Sequence, residues 1–355
     1  MKYSLLIINI FFSLSLFAIS PELQNIEKQL TFESAVDAYK TGNFERAKKL
    51  FEQCSNSTST ANFYLGVLSE KGWGTTKDYK KAFEYYSKLA SIQTVGIKVS
   101  YNGKTTEMES PVALAKNNLG LLYLKGLGVP QDINKGMELL KDAADLGNIY
   151  KAQMTLGAIY SSNDYVAFDF ELAKKYYEKS SNNHNNHTGE ADLCLGILFF
   201  EKKINAEAEK WFKKAINKGN NLAKNNLAFL YATERINLQE SEILMKQLTQ
   251  EDQCNDTYWD TYGFVLYQQQ KYSEAKNAFA KALSISPKKI DSLVNIGETC
   301  IKLEQNKEAI IFFTQAIDAT SNKAEQEKLK EKIKKLQFPA EAAPSRGNDE
   351  AVTKI

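Results

Sequence analysis

Residues Ala115–Gly147 read AKNNLGLLYLKGLGVPQDINKGMELLKDAADLG, and the reading of this stretch decides the fold. Ala115, Leu119 and Leu122 fall at i, i+4 and i+7, the apolar face of one helix. Gly120, beside Leu119, has no side chain, so a second helix can approach closely there. Gly126-Leu127-Gly128 then ends the first helix, and Asp132 stands where the N-cap of a second belongs. The stretch is therefore helix, tight turn, helix. One such pair cannot bury its own apolar face, but stacked pairs can.

The same pattern recurs along the chain. Units begin at Ala61, Ala152, Ala191 and Ala223, then come YWDTYGFVLYQQQKYSEAKNAFAKALSISP from Tyr258 and SLVNIGETCIKLEQNKEAIIFFTQAI from Ser292. A weaker unit starts at Phe32. Glycine recurs at Gly66, Gly120, Gly157, Gly196, Gly263 and Gly297, with Ala228 in its place once. The second helix of a unit carries alanine with aromatics, as in Ala82, Phe83 and Tyr86, or Ala208, Trp211 and Phe212. The expected fold is all-α, an α-solenoid of about eight antiparallel helix pairs over residues 32–321.

These residues resemble two related repeat families. LYLKGLGVPQDINKGMELLKDAADLG, with Leu-Gly, then Gly-x-Gly-Val, Asp, Ala-Ala and Gly, is similar to Sel1-like repeats. The last two units look like tetratricopeptide repeats, YSEAKNAFAKALSISP supplying the second helix and the closing Pro287. The units from Ala152 and Ala191 lack the Gly-x-Gly turn. The resemblance implies a superhelix whose first helices line a concave groove that binds other proteins. It also implies that an Asn two residues before the glycine faces the groove and can hydrogen-bond a ligand backbone, which carries over to Asn118, Asn226 and Asn295. Lys125 and Lys302, five residues after their glycines, would add positive charge there. The plainer reading of these Asn residues is polar filler. Secreted bacterial members of the family imply roles in envelope assembly, host interaction and virulence.

One segment breaks the period. Gly66 and Gly120 lie 54 residues apart and Gly120 and Gly157 only 37, which places an insertion at residues 92–112. Within it GIKVSYNGKTTEM, Gly96–Met108, alternates as a β-hairpin around Asn102-Gly103. Tyr101 then faces Lys104, Val99 faces Thr106 and Ile97 faces Met108. Lys98 opposite Glu107 adds a cross-strand charge pair. A lone hairpin is marginal in water, so its apolar face must rest on something. That support is either the neighbouring repeats or a partner, bound through Ile97, Val99, Tyr101 and Met108 or through the free strand edges.

The ends and the composition bound the function. Lys2 followed by the apolar run Leu5–Ile19 reads as a secretory signal peptide over residues 1–20, with residues 21–31 as a lead-in. Pro21 hinders cleavage after Ser20, so cleavage after Ala18 or an uncleaved anchor stays open. Residues 322–338 read as a charged helix with Leu329, Ile333 and Leu336 on one stripe, a cap or a short coiled coil, and 339–355 as a disordered tail. The expected location is the periplasm or the outer-membrane or cell surface, with no later membrane span and peripheral association left open. The 45 basic and 43 acidic residues nearly cancel, which argues against a nucleic-acid partner.

No catalytic set, cofactor motif or metal site emerges. His184 and His187 lie in an Asn-rich loop without supporting ligands, and GWGTTK at Gly72 is a repeat turn rather than a phosphate loop. Cys54, Cys194, Cys254 and Cys300 allow three disulfide connectivities, but their wide spacing argues against any. Sequons stand at Asn56, Asn186 and Asn255. The function expected is a protein-interaction scaffold or adaptor of the bacterial envelope. The rivals are an enzyme of the cell wall or a regulator or inhibitor of one, and a eukaryotic secretory-pathway adaptor.

Overall fold

Helix starts are set by short polar side chains. Asp78, Asp132 and Asp169 each accept the backbone N–H three residues on, from Lys81, Lys135 and Leu172 at 2.9–3.0 Å. Asn220 and Asn255 do the same for Ala223 and Tyr258. Each satisfies a donor that the first turn of a helix leaves open.

The computed structural model describes residues 21–92, 99–101, 104–106 and 110–338. They form seventeen helices and two short strands, divided between two compact units, Met1–Asn186 and His187–Ile355. Unit 1 holds four helix pairs: α1 (Pro21–Lys40) with α2 (Phe44–Cys54), α3 (Thr60–Lys71) with α4 (Tyr79–Ala90), α5 (Pro111–Lys125) with α6 (Ile133–Asp145), and α7 (Tyr150–Tyr160) with α8 (Phe170–Ser181). Unit 2 holds four more: α9 (Glu190–Glu201) with α10 (Asn205–Asn217), α11 (Asn221–Glu234) with α12 (Leu238–Glu251), α13 (Asp256–Gln268) with α14 (Tyr272–Ile285), and α15 (Ile290–Lys302) with α16 (Asn306–Ala319). Helix α17 (Lys323–Gln337) closes the series. Within each unit the pairs stack in chain order, the α-solenoid architecture.

The glycine row has a direct use. A Cβ at Gly66, Gly157, Gly196, Gly263 or Gly297 would lie 2.3–2.7 Å from an aromatic ring of the second helix, respectively Tyr86, Tyr177, Phe212, Phe279 and Phe313. Each glycine thus admits a buried ring against the first helix. Ala228 breaks the row for a visible reason. Ala208, Phe212 and Ala215 of α10 correspond in spacing to Ser241, Met245 and Leu248 of α12, all buried. The flexible Met245 replaces the ring, and the Ser241 hydroxyl donates to the Ala228 carbonyl at 2.8 Å.

The Gly-x-Gly turn links the two helices of a pair and packs against the pair before it. Gly128 has φ of 72°, and a Cβ there would meet the Tyr79 backbone at 2.4 Å, so the turn lies on the start of the preceding second helix. Gly74 meets the Phe44–Glu45 backbone in the same way, with Trp73 stacked on Phe44 at 4.8 Å between ring centroids.

Residues 21–31 are the first half of α1, continuous with the first repeat, and Leu23, Ile26 and Leu30 are exposed there. In the insertion, β1 (Val99–Tyr101) and β2 (Lys104–Thr106) run antiparallel with Val99 opposite Thr106 and Tyr101 opposite Lys104. Ile97, Met108 and the Asn102-Gly103 turn lie outside the described residues, as do the leader at 1–20 and the tail at 339–355. On α17, Leu329 is buried while Ile333 and Leu336 pack beside it against the cluster that holds Phe313 and Ala316. None of the four cysteines is joined in a disulfide. Burial pushes the Cys54 and Cys300 thiols up. Among the described residues no helix is long and apolar enough to cross a membrane.

Candidate partner-binding surface

Each first helix turns its glycine to the second helix, so the residues two before the glycine and one after it lie round the helix towards the other side, flanked by the residue three before. The three candidate Asn residues stand in this zone and are all half-buried. Their surroundings differ.

In unit 1, Asn118 donates to the Tyr86 hydroxyl at 3.0 Å and accepts from Asn117 at 2.9 Å. Tyr86 in turn donates to Glu70 at 2.9 Å. Desolvation first, then the Glu70 charge, drive the Tyr86 phenol far above its ordinary value, so it stays neutral and serves as donor and relay. The Asn118 amide is committed to this internal chain.

In unit 2, Asn226 makes no side-chain hydrogen bond among the described residues. Asn295 turns to Asp260, whose carboxylate also takes the Ser292 hydroxyl at 2.6 Å. Burial raises the Asp260 pKa, opposed by the Ser292 and Asn295 hydrogen bonds and by Lys289. Its folded pKa lies above its unfolded one, so the folded unit binds a proton more readily than the unfolded chain does. Stability from this group is therefore full at low pH and falls as pH rises past about 4, the unfolded carboxyl value. Asp260→Asn should remove that loss, raising stability at neutral pH relative to stability at acid pH in urea titrations. An unchanged difference between the two would show that Asp260 is not the source of the loss.

Lys125 and Lys302 are exposed at the ends of α5 and α15 and join no salt bridge among the described residues. Val99 and Tyr101 fall on β1. His184 and His187 are exposed, and among the described residues no cluster of His, Cys, Asp or Glu is set to hold a metal.

Unit 2 also presents a feature that the spacing argument passed over. Phe200 of α9 meets Phe229 of α11 edge-on at 6.1 Å, and Phe229 meets Phe264 of α13 at 5.4 Å. Three successive first helices thus share one row of rings. Phe229 is 38% exposed and Ile197 of α9 36%, so the row reaches solvent. Phe229 and Phe264 directly follow the glycine-row positions Ala228 and Gly263. The signal was present in the sequence, but an apolar residue beside the glycine reads as core.

These features agree with known proteins. A Sel1 repeat model matches residues 59–91, 113–148, 151–185 and 205–220, and a tetratricopeptide repeat model matches 266–333. Among solved structures, a protective antigen present in uropathogenic Escherichia coli strains, with an SLR fold, is similar at 21% identity and a TM-score of 0.63. The alignment covers 86% of this chain and 65% of that one, so this chain spans less than two thirds of the antigen's length. A Sel1 repeat protein from Oxalobacter formigenes is similar at 21% identity and a TM-score of 0.51, covering 81% of this chain and 100% of that one.

Proposed function

Because the chain is built from Sel1 repeats continued by a tetratricopeptide repeat segment, we propose that it is an exported scaffold that holds partner proteins on its first-helix faces. Repeat proteins of this kind mediate protein–protein interaction. The observation that carries the choice of surface is the row Phe200–Phe229–Phe264, partly open to solvent on three consecutive first helices. A packed structural row has no need of exposure, whereas an interface gains most from aromatic anchors that desolvate on binding. Export rests on the apolar leader at residues 5–19, and the bacterial envelope, with a role in host interaction or virulence, on the family resemblance. The β1–β2 strands offer a second contact through their edges or through Val99 and Tyr101.

A eukaryotic secretory-pathway adaptor is the second reading, and one observation favours it. Asn56 of the sequon Asn56-Ser57-Thr58 is exposed in the turn between α2 and α3, open to a glycan. Asn186, by contrast, is buried with its amide donating to the Ser181 carbonyl at 3.2 Å. Regulation of a cell-wall enzyme is a narrower form of the scaffold role, with the enzyme as the partner.

One experiment addresses these readings. The native cell is fractionated, crosslinked and affinity-purified with the full chain and with a 94–110 deletion, and the products are read by mass spectrometry. We expect the chain in an exported fraction with specific partners, reduced in number by the deletion. A cytosolic chain would overturn export, and absence of any partner above control would overturn the scaffold. A glycan on Asn56 would move the assignment to the eukaryotic pathway.

A further inference from the structure

The partner-binding reading leaves open what kind of segment the unit 2 face accepts, and its charge pattern answers that. On α9, α11, α13 and α15 the positions three and two before the glycine row and one after it are Leu193, Cys194, Ile197; Asn225, Asn226, Phe229; Asp260, Thr261, Phe264; and Val294, Asn295, Glu298. Only Asp260 and Glu298 are acidic and none is basic, and both carboxylates are engaged. Asp260 takes the Ser292 hydroxyl and the Asn295 amide, and Glu298 forms an ion pair with Lys332 of α17. In a chain with 25% charged residues, the middle of this face has no free charge.

The same zone gathers apolar side chains that water reaches. Phe229 and Ile197 are each more than a third exposed. The ring-to-ring steps of 6.1 and 5.4 Å are close to the repeat of alternate side chains on an extended strand, about 7 Å. Asn226 lies one turn from Phe229 with its amide unused among the described residues, able to donate to and accept from a backbone.

Resting on the partner-binding reading above, we propose that the unit 2 face binds an extended, uncharged segment that presents aromatic or branched aliphatic side chains at alternate positions. Phe200, Phe229 and Phe264 take those side chains, and Asn226 fixes the backbone between them. An acidic or basic tail finds no counter-charge in the middle of the face. Recognition is therefore insensitive to salt, unlike that of a charged peptide.

The test is selection of random linear displayed peptides on the full chain, followed by affinity measurements with the selected peptides, synthesised with capped ends. We expect sequences enriched in Phe, Trp, Tyr, Leu and Ile at alternate positions, near zero net charge, and binding that high salt leaves unchanged. Phe229→Ala should weaken binding at least about tenfold. Asn226→Ala should weaken it too, and serves as the second variant if Phe229→Ala disturbs the fold by circular dichroism. Ile243→Ala, on the outer side of α12, should leave it unchanged. Charged peptides with salt-sensitive binding, or peptides indifferent to both Phe229 and Asn226, would overturn the assignment of partner chemistry while leaving the face-binding reading to its own crosslinking test. Failure to select any peptide would overturn the assignment of an extended segment as well, and partner binding as such is decided by the crosslinking test.

Discussion

Changing Lys214 and Lys218 together to methionine should destabilise unit 2 by about 3–5 kcal/mol, more than Asp192→Asn does. The Asp192 side chain is fully buried at the third residue of α9 and pairs with Lys214 of α10 at 3.1 Å and with Lys218, which caps the end of α10, at 2.7 Å. The helix N-terminus favours its negative charge, but the two ammonium groups offset most of the desolvation. The arrangement is asymmetric. The lysine side chains are 39% and 27% exposed, so losing the carboxylate lets them turn to water. Losing both lysines instead leaves a carboxylate that has no route to solvent and lacks both its counter-charges. Urea unfolding followed by far-ultraviolet circular dichroism measures both variants. If Asp192→Asn proves the more costly, the carboxylate's desolvation is not the governing term.

The Asn residues show how far sequence alone reaches in such a chain. Asn118 and Asn226 occupy identical local contexts, AKNNL at Ala115–Leu119 and again at Ala223–Leu227. One is committed internally and the other is not, and the cause lies in the preceding pair. Tyr86 packs over Gly66 and offers its hydroxyl to Asn118, whereas Phe212, packed over Gly196 in the same manner, has no hydroxyl for Asn226. One oxygen atom in another repeat decides which amide is available. Helix pairs, caps and the glycine row were legible because they depend on spacing within a single unit. The ring row was not, since periodicity marks a residue as apolar without saying whether a second helix or solvent faces it. The same limit applied at residues 21–31, where the lead-in expected from the sequence is continuous helix with the first repeat.

Phe212→Ala should cost unit 2 about 3–5 kcal/mol, and the larger consequence is what it does to Gly196. The Phe212 ring is 1% exposed and lies where a Cβ on Gly196 would approach to 2.3 Å. With the ring in place, Gly196→Ala must displace it or part the two helices, an overpacking cost of about 1–3 kcal/mol. With the ring removed, the clash disappears, and alanine becomes the better helix residue by about 1 kcal/mol. The sign of Gly196→Ala should therefore reverse between the two backgrounds, a coupling that a double-mutant cycle in urea reads directly. The chain already contains the alternative solution. Ala228 faces Met245 at the corresponding positions of the next pair, both fully buried. Gly196→Ala combined with Phe212→Met should accordingly fold and lose less than Phe212→Ala alone, because methionine refills the volume without demanding a bare backbone. If Gly196→Ala costs the same with and without the ring, close packing of ring on glycine is not the reason for the row, and Ala228 would need a different explanation from Met245.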